Sequence, residues 1–242
     1  MTTTPPNDSQ PDIEIVPSGD RAVTVYLGNS IDPQTSQRVL SLVKNLDNQR
    51  SESILDIVPA YASVLILYNP LKISMSDLSR MIEKAASHQG TVKESTGKIL
   101  EIPVLYGGEY GPDMNFIEEC TQFSEKEIIS IHSKTLYRAY MIGFTPGFPY
   151  LGTLDSKLHI PRRKTPRNAI PEGSVAIAEG QTGIYPVESP GGWHVIGKTP
   201  LNLFNSTLNP PTLVSIGDSV KFVPIDNEND FKKIRENIEN HR

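Results

Sequence analysis

Gly143-Phe144-Thr145-Pro146-Gly147-Phe148-Pro149-Tyr150-Leu151-Gly152 holds three glycines, two prolines and three aromatic residues in ten positions. Glycine reaches backbone conformations closed to other residues, and proline fixes φ while removing a donor. The stretch reads as a rigid, irregular loop that carries aromatic surface. An ordinary connection needs only polar residues and one punctuating glycine. Alone, such a loop serves to cap the open end of a barrel. A second segment of the same character follows, Gly183-Ile184-Tyr185-Pro186-Val187-Glu188-Ser189-Pro190-Gly191-Gly192-Trp193, and it contains the single tryptophan of the chain. Two such loops in one domain point to the walls of a pocket or to a docking surface, placed at the mouth of a barrel.

The flanks of these loops set the class of their domain. Residues 136–142, 174–178, 193–196, 213–215 and 219–223 read as short strands punctuated by Gly and Pro. Many short strands without intervening helices predict a closed barrel. Residues 99–104 read as a strand that opens this domain, followed by one helix whose start is marked by the capping box Ser124-Glu125-Lys126-Glu127. Upstream the pattern differs. Val23, Val25 and Leu27 alternate as in a strand, and Asp32-Pro33 is an N-cap with proline at the first helical position. Val39, Leu42, Val43 and Leu46 form a helical stripe, residues 54–58 and 64–68 read as strands, and Ser74 with Asp77 opens a second helix ended by His88-Gln89-Gly90. This ββαββα order predicts two helices on one face of an antiparallel sheet, a ferredoxin-like α+β sandwich. The expected organisation is a disordered leader at 1–11, the α+β sandwich at 12–95, the barrel at 96–226 and a polar tail or helix at 227–242.

Composition narrows the function classes. The chain has 242 residues, 37% apolar and 21% charged, enough for packed cores in two domains. A formal net charge of −5 argues against nonspecific nucleic-acid binding. The single Cys120 excludes a disulfide framework and a cysteine-based zinc site. No apolar run approaches the roughly 18 residues that span a bilayer, and the leader has no basic start or apolar stretch, so a cytoplasmic protein without membrane contact is expected.

Gly192-Trp193-His194-Val195-Ile196-Gly197-Lys198-Thr199 fits the string of a phosphate-binding P-loop. The residue types oppose it, because Trp, His, Val and Ile prefer extended backbone and no strong helix follows. A better anion candidate is Arg162, Arg163, Lys164 and Arg167, held between Pro161 and Pro166. Arginine forks bind carboxylate or phosphate with two parallel bonds. Arg163 and Lys164 read as a solvated basic face or as salt-bridge partners for the acidic N-terminal half of the chain; Arg162 and Arg167 are the candidate clamps. His132, at the end of the capped helix, reads first as a complement to the helix C-terminus and alternatively as a general base facing the pocket. No pair of histidines has close metal-ligand spacing, and no nucleophile elbow is present. The catalytic base is therefore not assigned.

Gly107-Gly108-Glu109-Tyr110-Gly111-Pro112-Asp113, the aromatic loop, Pro161-Arg162, Pro166-Arg167, Gly173-Ser174-Val175 and the stretch from Gln181 to Thr199 resemble, in order and spacing, one family. It is the family of the 5-oxoprolinase B subunit, the sporulation kinase A inhibitor and allophanate hydrolase subunit 1, and the resemblance runs over residues 12–225. It implies an N-terminal α+β domain and a cyclophilin-like β-barrel, without implying prolyl isomerase activity. It implies that the B and C subunits together activate 5-oxoproline with ATP and magnesium, and that the A subunit hydrolyses the product to L-glutamate. On that reading the chain is one subunit of a hydrolase complex, with no resident metal or prosthetic group. Arg162 and Arg167 would be anion clamps; Phe144, Pro146, Gly147, Phe148, Tyr150, Gln181, Tyr185, Gly191, Gly192 and Trp193 would line the binding surface. The other implied role is an inhibitor that docks on a sensor histidine kinase and blocks its autophosphorylation.

Overall fold

The computed structural model describes residues 13–49, 51–87 and 97–240. The expected leader, the His88-Gln89-Gly90 helix end and most of the linker lie outside the described residues. The chain divides into two compact units, Met1–Ser95 and Thr96–Arg242.

The first unit is a four-stranded antiparallel sheet in the order β1-β2-β4-β3, with β1 Glu14–Pro17, β2 Ala22–Tyr26, β3 Ile54–Pro59 and β4 Ser63–Tyr68. Helix α1, Pro33–Asp47, starts at the Asp32 cap, whose carboxylate accepts from the Thr35 backbone at 2.9 Å. Helix α2 is Met75–Ser87. Val23, Val25, Val64 and Ile66 alternate along the strands and share one core with Val39, Leu42 and Leu46 of α1 and Leu78, Ile82 and Ala85 of α2. Both helices therefore cover the same face of the sheet.

In the second unit seven strands close a barrel in the order β10-β7-β6-β13-β5-β12-β9. They are β5 Ile99–Tyr106, β6 Leu136–Ile142, β7 Pro149–Gly152, β9 Ser174–Ala178, β10 Gln181–Ile184, β12 His194–Lys198 and β13 Ser219–Pro224. A separate two-stranded antiparallel sheet pairs β8 Arg167–Ile170 with β11 Ser189–Gly191. Where the sequence predicts one helix, the structure has two, α3 Met114–Thr121 and α4 Glu125–Lys134, separated at Gln122, which takes a left-handed φ of 62°. Residues 213–215 are not a strand; only Thr212 bridges Phe204 beside them. The P-loop-like string is strand β12. Helix α5, Glu228–Asn240, closes the chain and packs Phe231 on Tyr110 at 5.1 Å between rings.

Alternation sorts the barrel strands into two cores. Val175, Ile177, Ile184 and Ile196 point inward with Ile102, Val104, Leu151 and Phe222. Ala176, Ala178 and Val195 point outward and join a second cluster with Phe148, Ile170, Tyr185 and Trp193. The two aromatic loops thus meet on the outer wall of the barrel rather than at its mouth.

Candidate functional site

The outer cluster has a small-residue floor and an aromatic superstructure. Gly183 belongs to that floor because a Cβ there would sit 2.8 Å from the Phe148 ring. Phe148 is the hub. Its ring centroid lies 4.8 Å from Tyr150, 5.1 Å from Tyr185, 5.6 Å from Trp193 and 5.8 Å from Phe144, with edge-to-face geometry in each case. Such pairs add about 0.5–1.5 kcal/mol each beyond their buried area. Tyr185 and Trp193 are buried, Tyr150 half-buried, and Phe144 is 59% exposed at the tip of its loop. The Trp193 backbone N–H donates to the Tyr185 hydroxyl, which lies against Gly191. Burial pushes the Tyr185 hydroxyl up to about 12, against the opposing influence of that hydrogen bond and of Arg162 and Arg167. Gly147 is buried against Phe204, Gly192 lies beside Pro166 and the Arg163 carbonyl, Gln181 is half-buried at the start of β10, and Pro146 is exposed.

Beside the aromatics lies an ion cluster centred on a residue the sequence reading did not single out. Asp113 is 3% exposed. Its carboxylate accepts from Arg167 Nη1 at 2.6 Å and Nη2 at 2.8 Å, from Arg163 Nη1 at 2.6 Å, and from the Val195 backbone at 2.7 Å. Burial pushes this carboxyl up; the Arg167 and Val195 hydrogen bonds and the two guanidinium charges outweigh burial and hold it below the usual range. The local sequence explains its placement. Gly111 approaches strand β12 so closely that a Cβ would lie 2.2 Å from the Ile196 carbonyl oxygen, and the Asp113 N–H donates to the Val195 carbonyl at 3.1 Å. The glycine-bounded turn before α3 was the available signal.

The arginines separate accordingly. Arg163, expected on a solvated face or in a salt bridge to the N-terminal half of the chain, is paired with Asp113 of that half, together with Arg167. Arg162 is 57% exposed and meets the equally open Glu179 only at 3.5 Å. His194 is buried, stacks on Phe116 at 4.8 Å, and places Nε2 3.0 Å from the Pro161 carbonyl oxygen. Its pKa is lowered, chiefly by burial.

His132 sits elsewhere. Its ring is fully buried inside the barrel between Tyr106, Tyr137 and Phe222. The Thr182 hydroxyl donates to the Ala176 carbonyl at 3.1 Å, so it accepts from His132 Nε2–H at 2.9 Å. Nδ1 then accepts from the Tyr106 hydroxyl at 2.8 Å. Burial lowers this histidine to about 3, which makes it neutral at pH 7. It therefore carries no charge to complement the end of α4, and both ring nitrogens are engaged, so it does not face the aromatic cluster as a base.

The first unit offers a cleft of about 600 Å³ at the start of α1, lined by Tyr26, Asn29, Asp32, Gln34 and Arg38 among others. Of its two acids, Glu14 and Asp32, the second is occupied in capping the helix. The outer barrel wall is the better candidate, because aromatic surface and fixed charge converge there.

Residues 13–214 match the family model of the carboxyltransferase domain, subdomain C and D. The B subunit of 5-oxoprolinase from Bacillus subtilis (strain 168) is 40% identical over 228 residues, which cover 90% of this chain and 95% of the relative. That of Escherichia coli O157:H7 is 37% identical, covering 85% and 93%. The chain belongs to the 5-oxoprolinase B-subunit family. Among solved structures, TTHA0988 superposes with a TM-score of 0.76 at 32% identity over 86% of this chain, which spans 40% of that longer protein. The Kluyveromyces lactis urea amidolyase shares the fold, with a TM-score of 0.77 at 21% identity over 96% of this chain and 16% of its own length. Among the described residues of this 5-oxoprolinase family member, no helix is long and apolar enough to cross a membrane.

Proposed function

We propose that this chain is the B subunit of an ATP-dependent 5-oxoprolinase, working in the cytoplasm with the C and A subunits, and that the outer barrel wall helps hold 5-oxoproline during its activation. The observation that carries this reading is similarity over 85–90% of the chain, at 37–40% identity, to proteins named as the B subunit of 5-oxoprolinase. The site chemistry supports it. A lactam is a poor electrophile. Transfer of the γ-phosphoryl group of ATP to its carbonyl oxygen, with release of ADP, creates a phosphate leaving group. Water then adds at that carbon, the C–N bond breaks with the ring nitrogen leaving as the amine to give γ-glutamyl phosphate, and a second water displaces phosphate to yield L-glutamate.

Such chemistry needs a rigid wall for a small ring and cations for the ring carboxylate and the developing phosphate charge. Phe144, Phe148, Tyr150, Tyr185 and Trp193 supply the wall, and Arg162, the open arginine of the 162–167 segment, supplies the charge. Magnesium would enter with the nucleotide.

The test is reconstitution of the chain with the C and A subunits, with glutamate release from 5-oxoproline measured as a function of ATP. Activity is expected only when all three are present. Full ATP-coupled activity from A and C alone would overturn the proposal.

A further inference from the structure

We propose that Asp113 is a positioning residue that sorts the three arginines of this segment: it fixes Arg163 and Arg167 as wall and leaves Arg162 to meet the ligand's anionic group. The inference rests on the functional reading above for the identity of that ligand, and on geometry for everything else.

The Asp113 carboxylate is saturated. Four N–H groups converge on its two oxygens, from Arg167 Nη1 and Nη2, Arg163 Nη1 and Val195 N, all between 2.6 and 2.8 Å. Both terminal nitrogens of Arg167 point at this one acid, so the edge that would grip a ligand carboxylate or phosphate in bidentate fashion is already occupied. Arg163 is equally committed through Nη1, and its Nε is buried without a hydrogen-bond partner. Asp113 is itself clipped to β12 by a pair of backbone-level bonds, its N–H to the Val195 carbonyl and its Oδ2 from the Val195 N–H. The two guanidinium groups are therefore referenced to the barrel strand that follows directly on Trp193.

Arg162 is the contrast. It is 57% exposed, and its Nε lies 3.5 Å from an oxygen of Glu179, which is 60% exposed. That separation is long for a hydrogen bond, and water screens the pair. A ligand carboxylate or phosphate can displace Glu179 at little cost. Arg162 is also near enough to bias both Tyr150 and Tyr185, so an anion held there lies beside the aromatic cluster.

The division of labour has a consequence that a merely structural acid would not produce. Removing the Asp113 charge while keeping its shape leaves two adjacent guanidinium groups without a counter-charge. Arg163 and Arg167 then compete with Arg162 for anions.

The experiment measures inorganic phosphate binding to the full chain by calorimetry, and KM and kcat for 5-oxoproline in the reconstituted complex. Asp113→Asn is expected to bind phosphate at least tenfold tighter than the parent and to raise KM several-fold, with phosphate becoming a stronger competitive inhibitor. Asp113→Glu, which retains the charge, is expected to keep the parent's weak phosphate binding. Unchanged phosphate affinity in a folded Asp113→Asn protein overturns the proposal. Should that variant fail to fold, a second comparison decides. Arg162→Gln is expected to raise KM tenfold with Tm unchanged, whereas Arg167→Gln is expected to lower Tm by several degrees and to move KM less. An Arg167→Gln protein with raised KM and unaltered Tm overturns it equally. Phosphate binding needs no turnover, so a chain that behaves as expected there yet supports no 5-oxoproline hydrolysis would sink the functional reading and not the assignment of Asp113.

Discussion

His132 donates its Nε2–H to the Thr182 hydroxyl at 2.9 Å, and through it the α4 helix is tied to the Ala176 carbonyl beneath the aromatic cluster. The histidine is neutral there. In the unfolded chain it takes up a proton near its ordinary 6.5, whereas burial lowers the folded value to about 3. Between those values the unfolded state binds more protons, so stability falls as pH falls. The slope from this one group approaches about 1.4 kcal/mol per pH unit within the window. Thermal melts from pH 7 down to pH 4 should show a steadily decreasing Tm. His132→Gln should be less stable at pH 7 but have a flatter profile; an equally steep profile in that variant would exclude His132 as its source.

Gly183 and Phe148 fit only because one lacks a side chain. A Cβ on residue 183 would stand 2.8 Å from the Phe148 ring and 2.9 Å from the Pro149 carbonyl oxygen, and the carbonyl cannot move aside without shifting β7. Gly183→Ala is therefore expected to cost about 1–3 kcal/mol by overpacking. It should also lower activity of the complex by displacing the hub of the cluster. Fluorescence of the lone Trp193, whose ring lies 5.6 Å from Phe148, should shift in the folded variant. An unshifted spectrum with normal activity would show that the hub tolerates displacement.

Ser124 and Glu127 provide a contrast remote in chemistry from the cluster. The Glu127 carboxylate accepts from the Ser124 backbone at 2.9 Å and from its hydroxyl at 2.6 Å, completing the capping box of α4. Ser124→Ala should cost about 1 kcal/mol. A urea melt should register that loss while the KM for 5-oxoproline stays at the parent value. A changed KM would mean that α4 communicates with the site more strongly than its cap suggests.

The contrast between these residues explains what the sequence made legible. The Asp32 cap of α1, the Ser124 box of α4 and the alternation along β2 are set by neighbours a few positions apart, and each element lies where its pattern puts it. Strands β7, β8, β10 and β11 are three or four residues long and mostly carry or adjoin Gly or Pro, too short to establish a period of their own. Helix α3 was hidden because its sequence runs almost directly into α4, with only residues 122–124, opened by the left-handed Gln122, to separate them. The aromatic half of the site was readable as composition. Its ionic half was not: Asp113 meets Arg163, Arg167 and Val195 across 50, 54 and 82 positions. Which arginine of a run meets an acid depends on that distant partner, so the sequence left Arg163 between a solvated face and a salt bridge, although it makes one bond to Asp113 and Arg167 makes two.

Phe144 offers the sharpest separation of stability from function. It adopts a φ of 68°, a left-handed conformation that costs a side chain with a Cβ about 1–2 kcal/mol. The ring gains little burial in return, being 59% exposed, and its aromatic contact is the edge of Phe148 at 5.8 Å. Strain of this kind persists where the surrounding structure enforces it and tends to mark a working surface. Phe144→Gly removes the strain, since glycine enters this region freely. The variant should melt at the parent's temperature or higher, with a gain of up to about 1 kcal/mol after the added flexibility of glycine in the unfolded chain is counted. If the exposed ring covers the bound lactam, the same variant should lose affinity for 5-oxoproline, with KM in the reconstituted complex rising about tenfold, as expected for about 1.4 kcal/mol of lost contact. A variant that is more stable and equally active would show that Phe144 is a tolerated strain with no part in binding.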